Sequence, residues 1–265
     1  MTQAPAPKLV ILPASLAEEM REGPFVVVVR SRAEFLRWLR APLPGLEWIQ
    51  VEDLLTDQEV WGTAAQGPSP VPLDVILADP AAEFANLYRL VDVRIVRGVR
   101  VTMPVVPGFM KALRLAVSLG LPVRLLPGQP STDALVELRA AAEFYLHDPS
   151  VEAPIEFFHS VFAAMRGANA GSLWSILEQD PALITHTDPE GPAPLAEAYV
   201  PARLRSLLEQ GAECAECQWQ ALCSGYFKQP DPTYSCAGIK PIFAGLAAAA
   251  EEMQRDLARP EPAAT

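Results

Sequence analysis

Two short apolar runs near the start of the chain, KLVILP at residues 8–13 and FVVVVR at residues 25–30, decide the fold. Both have the length of a strand and are rich in β-branched residues. The second run has no polar residue before Arg30, which is typical of a central strand that is buried on both faces. Ser31 and Glu34 then form a capping-box pattern that predicts a helix over residues 32–40. Strand followed by helix is the pattern of a mostly parallel sheet or an incomplete β/α barrel.

The same alternation continues up to residue 148. We expect further strands at residues 47–51, 73–77, 91–95, 99–105 and 121–126. Helices are expected at residues 109–119 and 132–146, the second capped by Ser131 or Thr132. The sequence therefore predicts an α/β domain over residues 1–148.

Beyond residue 148 the sequence predicts helices and loops without a strand. The expected helices cover residues 154–165, 170–178, 201–210 and 240–258, and a Pro/Gly-rich connector is expected at residues 187–194. Residues 149–200 would form a helical connecting segment, and residues 201–265 a small cysteine-rich module with a C-terminal helix. The ends of the chain, residues 1–7 and 259–265, are expected to fray.

Charge and hydropathy exclude two classes of partner. The chain has 265 residues and a formal net charge of −11, and only four of its 21 basic residues are lysines. Nucleic acids are bound by clustered Lys and Arg, so no nucleic-acid partner is expected. No apolar stretch approaches the roughly 20 residues that span a bilayer, and no secretory signal pattern opens the sequence. We expect a cytoplasmic protein that does not bind membranes.

All four cysteines of the chain lie within 23 positions near its C-terminal end. Cys214, Cys217, Cys223 and Cys236 have the spacing C-x2-C-x5-C-x12-C. In a reducing compartment, clustered cysteines are metal ligands more often than disulfides. A C-x2-C pair places two thiolates on one centre, and the other two return to it after a turn and a loop. The sequence predicts one site that uses all four thiolates.

The spacing favours an iron-sulfur cluster over zinc. Zinc ribbons use two C-x2-C knuckles or add a C-terminal His, whereas this chain has one knuckle and its three histidines lie upstream of the cysteines. A zinc site with the same four ligands is the alternative, and a disulfide or unligated thiols are the third possibility. The aromatic residues Trp219, Tyr226, Phe227 and Tyr234 would shield the site from water and form the small core of this module.

The stretch CAECQWQALCSGYFKQPDPTYSC at residues 214–236 resembles the auxiliary-cluster segment of SPASM domains, which follow the barrel of radical SAM enzymes that modify ribosomal peptides. The family pattern is C-x2-C-x5-C-x3-C with further cysteines on both sides. This chain keeps the C-x2-C-x5-C core, has Phe227 at the next family cysteine, and retains Cys236. The resemblance implies one [4Fe–4S] cluster with four protein ligands, and the upstream β/α alternation suggests a shortened relative of the radical SAM barrel.

The catalytic pattern of radical SAM enzymes, C-x3-C-x2-C, is missing, because no cysteine precedes Cys214. A cluster with four protein thiolates has no open iron for SAM. The resemblance therefore implies a non-catalytic accessory protein that relays electrons or docks a partner in peptide modification. Its expected partner is a radical SAM enzyme or a ribosomal peptide substrate. If zinc occupies the site, the chain would instead be a zinc-stabilised binding module without redox activity.

Three further features of the sequence are candidate functional sites. Glu156 and His159, with His147 and Asp148 nearby, could form a second metal or acid/base site, but we favour a structural role for this helix. An enzyme site at the mouth of the α/β domain would need convergent polar groups at strand ends, which the sequence does not display. The third feature is an apolar stripe on the last helix that could dock a partner, although internal packing is favoured. It consists of Phe243, Leu246, Ala250 and Met253.

Overall fold

Eight parallel strands form one curled sheet with the outline of a half-barrel, which confirms the predicted α/β class and its parallel sheet. The computed structural model describes residues 7–20, 22–66, 71–188 and 194–258. The strands are β1 (Leu9–Pro13), β2 (Phe25–Val29), β3 (Leu46–Val51), β4 (Leu73–Ile76), β5 (Val99–Pro104), β6 (Val123–Leu126), β7 (Ile155–Glu156) and β8 (Ile184–His186). Each of the first seven strands pairs with the next, and β8 pairs with β1 at the other edge.

Helices follow most strands, as the strand-then-helix pattern predicts. They are α1 (Ala14–Ala17), α2 (Arg32–Arg40), α3 (Gln58–Ala64), α4 (Pro80–Glu83), α5 (Val91–Val96), α6 (Phe109–Ser118), α7 (Thr132–His147), α8 (Phe158–Met165), α9 (Leu173–Ile176), α10 (Tyr199–Glu209), α11 (Gln220–Cys223) and α12 (Lys240–Leu257). The capping box at Ser31 and Glu34 is confirmed, and Ser131 caps α7. None of the helices in the described ranges is long and apolar enough to cross a membrane.

The strand predicted at residues 91–95 is wrong, because these residues form helix α5. A one-turn helix and a 3-10 helix at Phe84–Leu90 lead directly into it, so the local chain direction overrides the strand preference of β-branched residues. Val93 packs in the core, but Ile95 is 75% exposed. These apolar residues do not belong to a buried strand.

The prediction of no strand beyond residue 148 is also wrong, since β7 and β8 both lie there. They have two and three residues, too few to show an alternating pattern, and they are strands because they pair with the free edges of the sheet. The residues expected to be a helical connecting segment thus supply both edge strands. The connector expected at residues 187–194 and the expected frayed ends lie largely outside the described residues.

The two predicted helices in this part of the chain are shorter than expected. Residues 154–165 begin with β7, and α8 starts only at Phe158, after Phe157 adopts a positive φ of 91°. Of residues 170–178, only Leu173–Ile176 are helical. The helices predicted at residues 201–210 and 240–258 are confirmed as α10 and α12 within two residues at each end.

The two faces of the sheet differ in chemistry. One face carries the apolar core, in which Val27, Ile49 and Leu73 lie among helix residues such as Phe35 and Trp61. The opposite face has a second, small apolar cluster, formed by Ile11, Val26, Val28 and Ile184. Along β4, β5 and β6 this face carries the charged residues Asp74, Arg100 and Arg124. Asp74 pairs with Arg100, and Arg124 pairs with Thr102, two residues further along β5 on the same face.

The cysteine-rich module lies at the carboxyl end of β6. The side chain of Gln129, just after this strand, donates hydrogen bonds to the carbonyls of Phe227 at 3.0 Å and Asp231 at 2.7 Å. The Tyr234 hydroxyl donates to the Pro130 carbonyl at 2.9 Å. These bonds hold the loop between the third and fourth cysteines against the turn between β6 and α7.

Candidate metal centre

The four predicted ligands come together around one cavity. Cys214 lies in a 3-10 turn at Glu213–Glu216, Cys217 follows that turn, Cys223 ends α11, and Cys236 begins the turn at Cys236–Gly238 that leads into α12. None of the four is in a disulfide. All four line the same small cavity. The structure therefore brings together every ligand that the sequence singled out.

Aromatic and aliphatic side chains form the remaining walls of this cavity. Trp219 and Phe227 come from the cysteine loops, whereas Ile239 and Phe243 come from the start of the last helix. Phe243 contacts both rings, with centroid distances of 5.8 Å to Trp219 and 6.2 Å to Phe227. Burial of this kind keeps water from a metal group and shifts its reduction potential.

A carboxylate clamp ties the first and last cysteine segments together. Glu213 accepts hydrogen bonds from the Lys228 ammonium at 2.9 Å and the Lys240 ammonium at 2.6 Å. Its Oε1 also accepts one from the Cys236 amide at 2.9 Å. Lys228 is only 4% exposed and donates as well to the Tyr234 carbonyl. Two of the four lysines in the chain thus lie beside the thiols.

The clamp carries a net charge that suits a thiolate-bound metal group. Burial alone would raise the pKa of Glu213. The Cys236 amide and the ammonium groups of Lys240 and Lys228 lower it by more than burial raises it, and the result is a pKa of about 2. The carboxylate is therefore ionised, and two ammonium groups against one carboxylate leave one positive charge. That charge offsets part of the negative charge of four thiolates.

Burial also raises the pKa of three of the four thiols. It is the largest cause that raises the pKa of Cys214 and of Cys223, and together with the charge of Glu213 it raises the pKa of Cys236 to about 12. The charges of Cys214 and Cys223 add to the rise at Cys236, so these thiols are close enough to interact. Buried thiolates that repel one another are stabilised by binding a metal.

Backbone amides face the third cysteine. Ser224 and Gly225 both have a left-handed conformation, with φ of 47° and 73°. This turn directs the amides of Gly225, Tyr226 and Phe227 towards the Cys223 thiol, where they lower its pKa against the effect of burial. A Cβ on Gly225 would lie 2.8 Å from Leu207 Cδ1, so packing as well as the backbone favours glycine here.

The donor set fits a four-iron cluster on chemical grounds. Four soft thiolates around one apolar cavity, with N–H donors and a positive surplus beside them, are what such a cluster requires. Within the described ranges, no three His, Cys, Asp or Glu side chains lie close enough together to hold a single metal ion.

The possible second metal or acid/base site around Glu156 and His159 is arranged differently from the prediction. Glu156 lies in β7, so the helical spacing that linked it to His159 does not exist. Glu156 accepts a hydrogen bond from the Ser160 hydroxyl at 2.5 Å, and His159 Nδ1 lies 3.4 Å from the Tyr145 hydroxyl. His147 pairs with Glu143 at 3.4 Å. Glu156, His159 and His147 nevertheless line one groove, beside α12.

Sequence reasoning missed a buried polar cluster on the sheet. Asp74 is 2% exposed and accepts from Arg100 at 2.7 Å and from Arg124 at 2.8 Å, and both arginines also pair with Glu178. The Thr102 hydroxyl donates to Asp74 at 2.5 Å. These convergent polar groups lie near the amino ends of β4, β5 and β6, whereas the expectation concerned an enzyme site at the mouth of the α/β domain. Their signal was a set of isolated polar residues in otherwise apolar strands.

Comparison with known proteins identifies no relative. No family model matches the chain, no curated protein matches it significantly, and no solved structure does either.

Proposed function

We propose that this chain binds one [4Fe–4S] cluster through Cys214, Cys217, Cys223 and Cys236 and serves as an electron relay or docking protein in a radical SAM peptide-modification system. The observation that carries the proposal is that all four cysteines line one cavity. Their sequence resembles the auxiliary-cluster segment of SPASM domains, which supplies the choice of system.

A cluster bound here would supply one-electron chemistry. The chain's own residues bind and shield it. Trp219, Phe227 and Phe243 exclude water, the Glu213 clamp sets the spacing of the outer cysteine segments, and the amides after Cys223 donate to its sulfur. Lys228 and Lys240 favour added negative charge on the group, so they would raise its reduction potential.

Zinc is the second candidate, and it would make the chain a binding module without redox activity. It uses the same thiolates, but one ion must contact all four sulfurs at about 2.3 Å. A cluster would offer a separate iron to each of the four thiolates that line the cavity. The C-x2-C-x5-C-x12-C spacing also lacks the second knuckle of a zinc ribbon.

Catalysis of SAM cleavage is not proposed for the isolated chain. All of its cysteines are assigned to the one site, which leaves no C-x3-C-x2-C set to hold a cluster with an open iron. Anaerobic incubation with dithionite and SAM should therefore give no 5′-deoxyadenosine above background. Catalytic formation of this product would contradict the assignment.

The partner part of the proposal needs its own experiment. The anaerobically purified protein would be mixed with a radical SAM enzyme encoded by the same organism, and binding would be measured by native mass spectrometry and electron exchange by stopped-flow spectroscopy. We expect a complex, and reduction of one cluster by the other that the Cys236→Ser variant abolishes. The proposal fails if such enzymes neither bind nor exchange electrons with the protein.

A further inference from the structure

An open groove lies away from the cysteines, between α7, α8 and α12. Its volume is about 670 Å³, in the range of ligand sites. We call it the α8–α12 groove. It is lined on α7 by Tyr145, on α8 by His159 and Phe162, and on α12 by Glu252 and Met253, and Glu156 of β7 also borders it.

The walls of the α8–α12 groove offer apolar contact area. The Tyr145 ring stacks on Phe158 at 5.7 Å and meets the edge of Phe162 at 6.5 Å, so this aromatic wall is held in place from behind. Met253 stands on the other side and is 42% exposed. A flexible thioether opposite fixed rings is a common arrangement at surfaces that bind apolar side chains of varied shape.

Three carboxylates give the groove negative charge. Among the described residues, its lining includes Glu152, Glu156 and Glu252 together with His147 and His159, and it includes no Lys or Arg. Glu156 is half-buried, and the neutral Ser160 hydroxyl is its hydrogen-bond donor. Its charge also raises the pKa of Tyr145, after the larger effect of burial. A cationic group would relieve this concentration of negative charge, whereas a phosphate would be repelled.

We propose that the α8–α12 groove binds a peptide segment in which a Lys or Arg side chain pairs with Glu156 and Glu252 while flanking apolar side chains pack on Phe162 and Met253. The groove is open, and its combination of apolar walls with carboxylates matches a peptide better than a small free cation. This is a second binding site, separate from the cysteine cavity.

The α8–α12 groove and the cysteine cavity are both lined by residues of α12. Phe243 forms a wall of the cysteine cavity and Met253 a wall of the groove, and both lie on α12. Ten residues of helix separate them by about 15 Å. A peptide in the groove would thus be held at one end of the helix whose other end closes the metal centre. The inference goes beyond the proposed function and does not depend on the metal.

The test begins with a phage-displayed library of random ten-residue peptides selected on the anaerobically purified protein. We expect the enriched peptides to carry Lys or Arg between apolar residues. A synthetic peptide of the most enriched sequence is then titrated by fluorescence anisotropy. Glu156→Gln and Glu252→Gln should each weaken its binding about tenfold. Met253→Lys, which places a cation in the groove at an exposed position, should weaken it at least as much.

The matched control is Glu251→Gln. Glu251 is exposed on the same helix and is not among the residues that line the groove, so the same change in charge should leave the affinity unaltered. Equal loss in this control, or enriched peptides without a basic residue, would overturn the inference. Displacement of the peptide by an equal concentration of cadaverine would overturn it too, because the groove would then bind only a cation. Iron content measured on the same samples separates this outcome from failure of the proposed function.

Discussion

The amide of Cys236 donates a hydrogen bond of 2.9 Å to the carboxylate of Glu213, the residue directly before Cys214. This bond connects the first and last cysteine segments through backbone and carboxylate, and no cysteine sulfur takes part in it. Lys228 and Lys240 bond to the same carboxylate and complete the clamp. The protein therefore positions two ligands that are 22 residues apart through a side chain that is not itself a ligand.

Removal of the clamp charge should weaken the module. Glu213→Gln leaves the buried Lys228 ammonium with the Tyr234 carbonyl but without its counter-charge, and we expect a loss of about 1–3 kcal/mol in the free energy of unfolding together with less bound iron. Urea unfolding and iron analysis measure both effects. The exposed Glu216 gives a control, since Glu216→Gln should change stability by less than about 0.5 kcal/mol. Similar losses in the two variants would show that the clamp does not act as described.

The same carboxylate predicts a pH dependence. Its pKa is lowered from 4.5 to about 2 in the folded protein, so the ionised form stabilises folding. That contribution is fully present above pH 4.5 and is lost as the pH falls from 4.5 towards 2. The difference in unfolding free energy between the wild type and Glu213→Gln, measured on metal-stripped protein, should therefore be constant from pH 7 to 5 and shrink by pH 3. A difference that stays constant down to pH 3 would contradict this.

Each cysteine should be needed for metal binding. A Cys→Ser change at position 214, 217, 223 or 236 removes one of four ligands, and because metal binding and local folding are coupled, it should lower bound iron severalfold and expose residues 213–239 to proteolysis. Ala215→Ser is the control, as it adds the same side chain at an exposed position of the first cysteine turn. Full iron content in any of the four variants would remove that residue from the ligand set.

The buried cluster on the sheet should matter for stability. Asp74→Ala removes the carboxylate shared by Arg100 and Arg124 and leaves Glu178 as the one carboxylate that pairs with both guanidinium groups, so we expect a loss of about 3–5 kcal/mol. Chemical denaturation monitored by circular dichroism measures it. Asp92→Ala changes an exposed carboxylate of α5 and should cost less than about 1 kcal/mol. If Asp74→Ala is no worse than this control, the network does not stabilise the fold.

The sequence predicted the sheet because its central strands are long apolar runs. FVVVVR forms the fully buried β2, and the Ser31–Glu34 pattern caps α2 as expected. Residues 155–156 could not be predicted as a strand, because pairing with β6 and not their composition makes them one. Residues 91–95 were wrongly predicted as a strand for the opposite reason. Their β-branched side chains are typical of a strand, but they lie in a helix that the preceding turns impose.

The candidate site shows the same limit. The spacing of the four cysteines predicts the ligand set, but the clamp depends on Glu213 meeting Lys228 and Lys240, which loop geometry brings together. The apolar stripe on α12 is mostly buried. Phe243, Leu246 and Ala250 pack inside as favoured, and Met253 alone of the four is exposed. That leaves the stripe unavailable as a docking surface.

The central claim is that the four cysteines hold an iron-sulfur cluster. The most direct measurement is the iron, acid-labile sulfide and zinc content per chain of anaerobically purified protein, taken with its visible absorption spectrum. If the four cysteines hold a [4Fe–4S] cluster, we expect about four irons and four sulfides per chain, a broad brown absorption and little zinc. One zinc per chain in a colourless protein, without iron or sulfide, would contradict it.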